Sequence, residues 1–244
     1  MTRPEPDHAD LVDAVRQRGY PVIHCPAFRL RASDCALSVT ERTALCVKTD
    51  VLIAVSPMAA RSTLKWFTPE LLANCCIIAP GATTASVFLE QGLDVTVPPA
   101  PGSSEAILSL TELQQVAGQT IVLVAAADGR SLLTETLRAR GASVRSLELY
   151  RREPLPPATR FLQCLDHSAG GGDSISLVSS GLAFHHLCEA LNETQLRSWL
   201  NSTFIVSSDR LKAIVSHIGA GRIELARSAA DVDMLRALDG IVGT

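Results

Sequence analysis

Two stretches of the chain, "DVLIAVSPMAARSTLKWF" from Asp50 to Phe67 and "DSISLVSSGLAFHHLCEAL" from Asp173 to Leu191, say the same thing twice. Each begins as a short apolar run of strand length. Each closes on a small polar turn, Ser56-Pro57 or Ser179-Ser180, and then takes up a helical pattern. The second begins 123 residues after the first.

The likeness extends on both sides. "IIAPGATTASVFLEQGLDV" from Ile77 aligns with "FIVSSDRLKAIVSHIGAGRI" from Phe204, which sets Gly92 opposite Gly219. Both glycines stand where a helix should stop, the usual place for a left-handed cap. "SSEAILSL" from Ser103 aligns with "DVDMLRAL" from Asp231, with Ser103 or Ser104, and Asp231, as expected N-caps. "TRPEPDHADLVDAVRQRGYPVIHCPAF" from Thr2 aligns with "AAADGRSLLTETLRARGASVRSLELY" from Ala125. That sets Gly19 opposite Gly141 and Phe28 opposite Tyr150. A period this long is no solenoid and reads as an internal duplication.

Strand and helix alternate through each copy, which predicts two doubly wound parallel sheets of the flavodoxin or Rossmann kind. Composition agrees: 47% of the chain is hydrophobic and only 4% aromatic, a Leu, Val, Ile and Ala core suited to buried parallel sheets. In such sheets the loops at the strands' carboxyl ends meet the ligand. Here these are Thr2-Arg3-Pro4, Ser56-Pro57, Gly81 to Thr84, Ala125 to Arg130, Ser179-Ser180-Gly181 and Ser207-Ser208. Each precedes a helix, so backbone N–H groups and the positive helix end suit a carboxylate or phosphate. Simple helix capping accounts for any one of them; six together point to a ligand.

Other classes are disfavoured. There is no G-x-x-x-x-G-K-[ST] and no G-x-G-x-x-G after a strand, so no nucleotide cofactor is expected. "GGGD" at Gly170 to Asp173 precedes a strand and reads as a connector. The net charge of −3, with scattered basic residues, is no nucleic-acid footprint. His185 and His186 are adjacent and would point apart on a helix, so no metal site is expected. The apolar runs are too short to cross a bilayer. Seven cysteines without a C-x-x-C read as buried, reduced thiols of a cytoplasmic protein.

The short motifs, in their order and spacing, resemble uroporphyrinogen-III synthases. They are "TRPEP" at Thr2, "VSPMAAR" at Val55, "GATTAS" at Gly81 and "SSEAIL" at Ser103. "DGRSLLTETLRARGASV" at Asp128, "ELYRREP" at Glu148, "VSSG" at Val178 and "VSSDRL" at Val206 complete the set. The resemblance implies two domains, residues 1–28 plus 157–244 and residues 33–150, joined by a two-stranded linker of residues 28–32 and 151–156. It implies a cofactor-free lyase that cyclises hydroxymethylbilane with inversion of ring D and loss of water. It further implies a monomer in tetrapyrrole and haem synthesis that receives substrate, by transient handover, from hydroxymethylbilane synthase. The prolines of "EPLPP" suit a linker, since proline cannot continue a ladder.

That reaction needs no strong base or metal, because the pyrrole nitrogens supply the electrons. The protein must hold one conformer and help the hydroxyl leave. Tyr150 is the expected proton donor, because a tyrosine side chain carries a phenolic O–H that can be donated to a leaving hydroxyl. The carboxylates would be met at Ser56, Thr83, Thr84, Ser104, Ser179 and Ser208, with Arg3 and Arg130 as cationic partners. Two departures stand out. Members of the family carry Arg-Gly at the loop that reads Ala125-Ala126 here, which removes one donor. The strand "IVLVA" from Ile121 has no counterpart before Thr2, so the expectation is a sheet one strand short or a start further upstream. A non-catalytic anion- or tetrapyrrole-binding protein on the same scaffold is the first alternative, a two-domain glycosyltransferase the second.

Overall fold

The computed structural model describes residues 1–4, 9–33, 37–99, 103–126, 131–167 and 174–242. In chain order, α1 (Ala9–Gln17) leads to β1 (Phe28–Ala32), α2 (Val39–Val47) and β2 (Val51–Ala54). Then come α3 (Pro57–Trp66), α4 (Pro69–Leu72), β3 (Cys76–Ile78), α5 (Ala82–Leu89) and α6 (Ser104–Leu108). A 3₁₀ turn at Thr111–Leu113 precedes β4 (Thr120–Ala126), α7 (Leu132–Ala139), β5 (Ser143–Pro154) and α8 (Thr159–His167). The remainder is β6 (Ile175–Val178), α9 (Gly181–Ala190), α10 (Glu193–Leu200), β7 (Thr203–Val206), α11 (Asp209–Ile218), β8 (Arg222–Leu225) and α12 (Asp231–Val242). The chain divides into two compact units, Met1–Leu30 with Glu153–Thr244, and Arg31–Arg152. It passes from one to the other inside β1 and inside β5.

The fold is α/β with sheets that are mainly parallel. One sheet runs β1-β5-β4-β2-β3 and the other β6-β7-β8. The pairings of β4 with β5, β4 with β2 and β2 with β3 are parallel, as are those of β6 with β7 and β7 with β8. Ser33 N–H bonds Leu149 O and Leu155 N–H bonds Ala27 O, so β1 runs antiparallel to β5.

Alternation along each strand explains why helices cover both faces. In the 31–152 unit, Val51, Ile53, Ile78, Ile121 and Leu123 pack with Ile107, Leu113, Leu133 and Leu137. The intervening Leu52 and Val122 face Leu45, Phe67 and Leu72 on the other side. In the other unit, Val178, Phe204 and Val206 join Phe184, Leu187, Trp199 and Leu211. Their neighbours Leu177 and Ile205 join Leu11, Val15, Met234 and Leu238. β8 is short and carries Arg222 and Glu224, which blunts a sheet edge against further pairing.

Thr2 N–H donates to Leu177 O and Cys25 N–H to Met1 O, so the first residues run beside β6 much as β4 runs beside β2. Three expectations need correction. Ala125 and Ala126 belong to β4 rather than to the loop after it, because their ladder with β5 continues to Tyr150. β5 runs through Pro154, because its ladder with β4 ends at Tyr150 and Leu155 rather than residue 154 donates to Ala27 O, so a proline there costs no ladder bond. Cys164 is exposed, whereas Cys25 and Cys46 are buried and Cys75, Cys76 and Cys188 half-buried. Burial pushes the Cys75 and Cys188 thiols up to about 11. Cys35 and the Gly170–Asp173 connector lie outside the described residues.

The paired glycines share a conformation. Gly19, Gly141, Gly92 and Gly219 all have positive φ, as their place after a helix requires. At Gly141 a Cβ would also stand 3.2 Å from Ala117, whereas none would be met at Gly19. Gly19→Ala should therefore cost about 1–2 kcal/mol from backbone strain alone, and Gly141→Ala visibly more. Urea unfolding of the two variants side by side checks this ordering.

Candidate functional site

The site begins with how β5 delivers Tyr150. Val124 of β4 stands opposite Leu147, but Ala126 stands opposite Tyr150, so β5 carries one extra residue between them. This bulge breaks the alternation and leaves both Leu149 and Tyr150 buried. Without it Leu149 would meet Ala126, and the tyrosine would point to the opposite face.

Paired residues of a parallel ladder share a face. Ala54 of β2 is opposite Val124, and Ser56, two residues on in extended conformation, continues that face. Tyr150, Ala126 and Ser56 are therefore in line across three neighbouring strands, with the small Ala126 in the middle. Two strand spacings amount to roughly 10 Å, and the tyrosine ring reaches across them. Ser56 Oγ–H donates to Tyr150 Oη at 3.1 Å. Tyr150 is 2% exposed.

Ser56 also caps α3: its Oγ accepts from Ala59 N–H at 3.1 Å. Pro57 at the first helical position has no N–H to satisfy, which suits this start. The same capping bond recurs at Ser103 with Ala106, Ser180 with Ala183 and Ser208 with Leu211. The serine in each strand-end turn thus spends acceptor capacity on its helix and keeps its hydroxyl proton for something else. Ser104 and Ser179 each stand one residue from the cap of α6 and α9, respectively.

Thr83 is exposed in the first turn of α5, while Thr84 is 4% exposed and faces the packed side of that helix. Ser208 is exposed and Ser179 half-buried; Ser207 Oγ–H reaches Ser179 O at 3.5 Å, which brings the turns after β6 and β7 together. Arg3 is committed inside its own unit. Its guanidinium pairs with Asp231 at the start of α12 and donates to Ala229 O at 2.6 Å. Arg130 lies outside the described residues. Among the described residues, no three His, Cys, Asp or Glu side chains come together as a metal would need. Also among them, no helix is long and apolar enough to cross a membrane.

Sequence reasoning singled out Ser56 and Tyr150 separately and missed their bond, and it missed Ala126 as the spacer between them. The one available signal was "LELY", whose closing pair of apolar residues departs from strict alternation. Asp231, read only as a cap, was missed as the partner of Arg3.

The family model described as uroporphyrinogen-III synthase HemD matches residues 9–210. The uroporphyrinogen-III synthase of Escherichia coli is 28% identical over 257 aligned positions, covering 98% of each chain. That of Salmonella typhimurium is 29% identical over 252, again covering 98% of each. Among solved structures, a mutant uroporphyrinogen III synthase of Thermus thermophilus superposes with a TM-score of 0.65 at 18% identity, covering 96% of this chain and 94% of that one. The Helicobacter pylori uroporphyrinogen-III synthetase gives 0.62 at 16%, covering 91% and 93%. At such identities these structures speak for the fold.

Proposed function

The chain belongs to the uroporphyrinogen-III synthase family, and on that premise we propose that it closes hydroxymethylbilane into uroporphyrinogen III. The observation that carries the reading is Tyr150, delivered by a bulge to the carboxyl ends of parallel strands and held there by Ser56. A phenol at such a position donates a proton to the leaving hydroxyl of the substrate, which departs as water. The pyrrole nitrogen supplies the electron pair that expels it. Ring D then attacks through its substituted carbon, the spiro centre opens, and closure at the free α-carbon releases a proton that restores the phenol.

Arg3, Thr83, Thr84, Ser104, Arg130, Ser179 and Ser208 meet the substrate's carboxylates through hydroxyls, cations and the adjoining backbone N–H groups. The two domains, residues 1–28 with 157–244 and residues 33–150, descend from one duplicated unit and are linked by residues 28–32 and 151–156. The matched positive-φ glycines support the duplication. The enzyme works as a cytoplasmic monomer on substrate released by hydroxymethylbilane synthase.

The test is an assay in which hydroxymethylbilane is generated in place and its consumption followed with and without the protein. Catalysed consumption supports the reading, while tight binding without turnover would leave a tetrapyrrole-binding protein. A second expected result concerns Ala126. A bulkier residue there blocks the tyrosine's path to Ser56, so Ala126→Leu should lower turnover about tenfold or more. Steady-state kinetics on variant that retains its melting transition checks this.

A further inference from the structure

We propose that Ser56 is a positioning residue for Tyr150, donating a hydrogen bond to the phenol oxygen so that the tyrosine's own proton is aimed at the departing hydroxyl. This rests on the reading of Tyr150 as the proton donor and reassigns Ser56 from a carboxylate contact to a partner of that donor.

A serine hydroxyl has one proton and two lone pairs. Ser56 Oγ takes the Ala59 N–H at the start of α3, at 3.1 Å, and gives its proton to Tyr150 Oη, also at 3.1 Å. Among the described residues, Ser56 is the hydrogen-bond partner recorded for that phenol. The bonds run in one direction, from the Ala59 N–H through Ser56 to Tyr150. Accepting from an N–H polarises the serine O–H and makes it a stronger donor. The positive end of the ten-residue α3 acts in the same sense.

With an acceptor site of its oxygen filled by Ser56, Tyr150 keeps its one proton for the substrate. As the substrate's C–O bond breaks and that proton moves to the leaving oxygen, negative charge grows on the phenol oxygen. The Ser56 bond then strengthens, so it helps more in the transition state than in the ground state. The water that leaves carries the tyrosine's proton, and the proton lost on ring closure returns to the phenolate, so the tyrosine ends as it began.

The test is a double-mutant cycle with product-isomer analysis. Ser56→Ala should lower kcat about fivefold to tenfold, the worth of one hydrogen bond, and leave KM within about twofold. Ser56→Thr, which keeps both bonds, should restore turnover. Ser56→Gly, a residue that helix caps tolerate, should match Ser56→Ala and serves if the alanine variant folds poorly. Ser56→Ala combined with Tyr150→Phe should be no slower than Tyr150→Phe alone. The proposal is overturned if Ser56→Ala slows both backgrounds by the same factor. It is also overturned if KM rises with kcat unchanged, because Ser56 would then meet the substrate itself. Wild-type turnover in Tyr150→Phe would instead sink the parent reading of the tyrosine.

Discussion

Tyr150→Phe is expected to retain the fold and to bind tetrapyrrole as the unaltered protein does, while turnover falls roughly 10- to 100-fold. Loss of a general-acid contact spans about 10²–10⁴-fold in enzymes at large. The effect here belongs at or below the lower end, because the pyrrole nitrogen drives departure of the hydroxyl and water can replace the phenol in part. The fold should survive because the change removes only an oxygen. That oxygen's bonded neighbour Ser56 keeps its other bond, to Ala59, and the ring still fills the buried place beside Ala126. The type III isomer should still dominate, since the conformer is chosen by the whole binding surface rather than by one hydroxyl. Stopped assays with isomer separation measure both quantities. Unfolding of the variant would make the "ELYRREP" stretch a packing motif.

Phe184→Ala should have the largest effect on stability. Phe184 is fully buried at the start of α9. Its ring centroid lies 5.2 Å from that of Trp199 and 5.8 Å from that of Phe204. Phe161 adds an edge-on contact to Trp199 at 5.7 Å. In a chain this poor in aromatics, these rings carry much of one unit's core. Truncation to alanine removes a large apolar side chain and leaves a void, at a cost of about 3–5 kcal/mol. The melting temperature should fall by about 10 °C. Each unit holds one of the chain's two tryptophans, Trp199 and Trp66, so each can be followed by a single-tryptophan variant. Emission from Trp199 should report an early transition in Phe184→Ala. An unchanged Trp199 transition would show that the ring cluster is not what holds α9 and α10 to β6 and β7.

Much of this was legible because it is local. Ser56, Ser180 and Ser208 are caps since their hydroxyls reach an N–H three residues on, and that chemistry is written in adjacent positions. Gly19 and Gly219 announce helix ends because few other residues accept a positive φ. Apolar runs such as "VLIA" and "TFIV" read as buried strands because both faces of their sheets are covered. What escaped is long-range. The bulge in β5 exists only relative to β4, and no residue within "SLELY" marks which one is extra. The Ser56–Tyr150 bond joins residues 94 positions apart, and Arg3 finds Asp231 near the far end of the chain. Ala126 looked like loop because small residues suit turns; only its ladder to Tyr150 makes it strand. Pro154 read as a break because proline lacks an N–H, yet β4 has ended by Tyr150 and it is Leu155 that donates toward β1, so none is needed there.

The isomer ratio of the product decides whether the chain closes hydroxymethylbilane with inversion of ring D. Hydroxymethylbilane generated in place is divided between two samples, one with the purified protein and one without, and the oxidised uroporphyrins are separated. Closure without inversion of ring D gives the type I isomer. Type III should dominate when the protein is present and type I when it is absent. Type I in both samples, at the same rate, would contradict it.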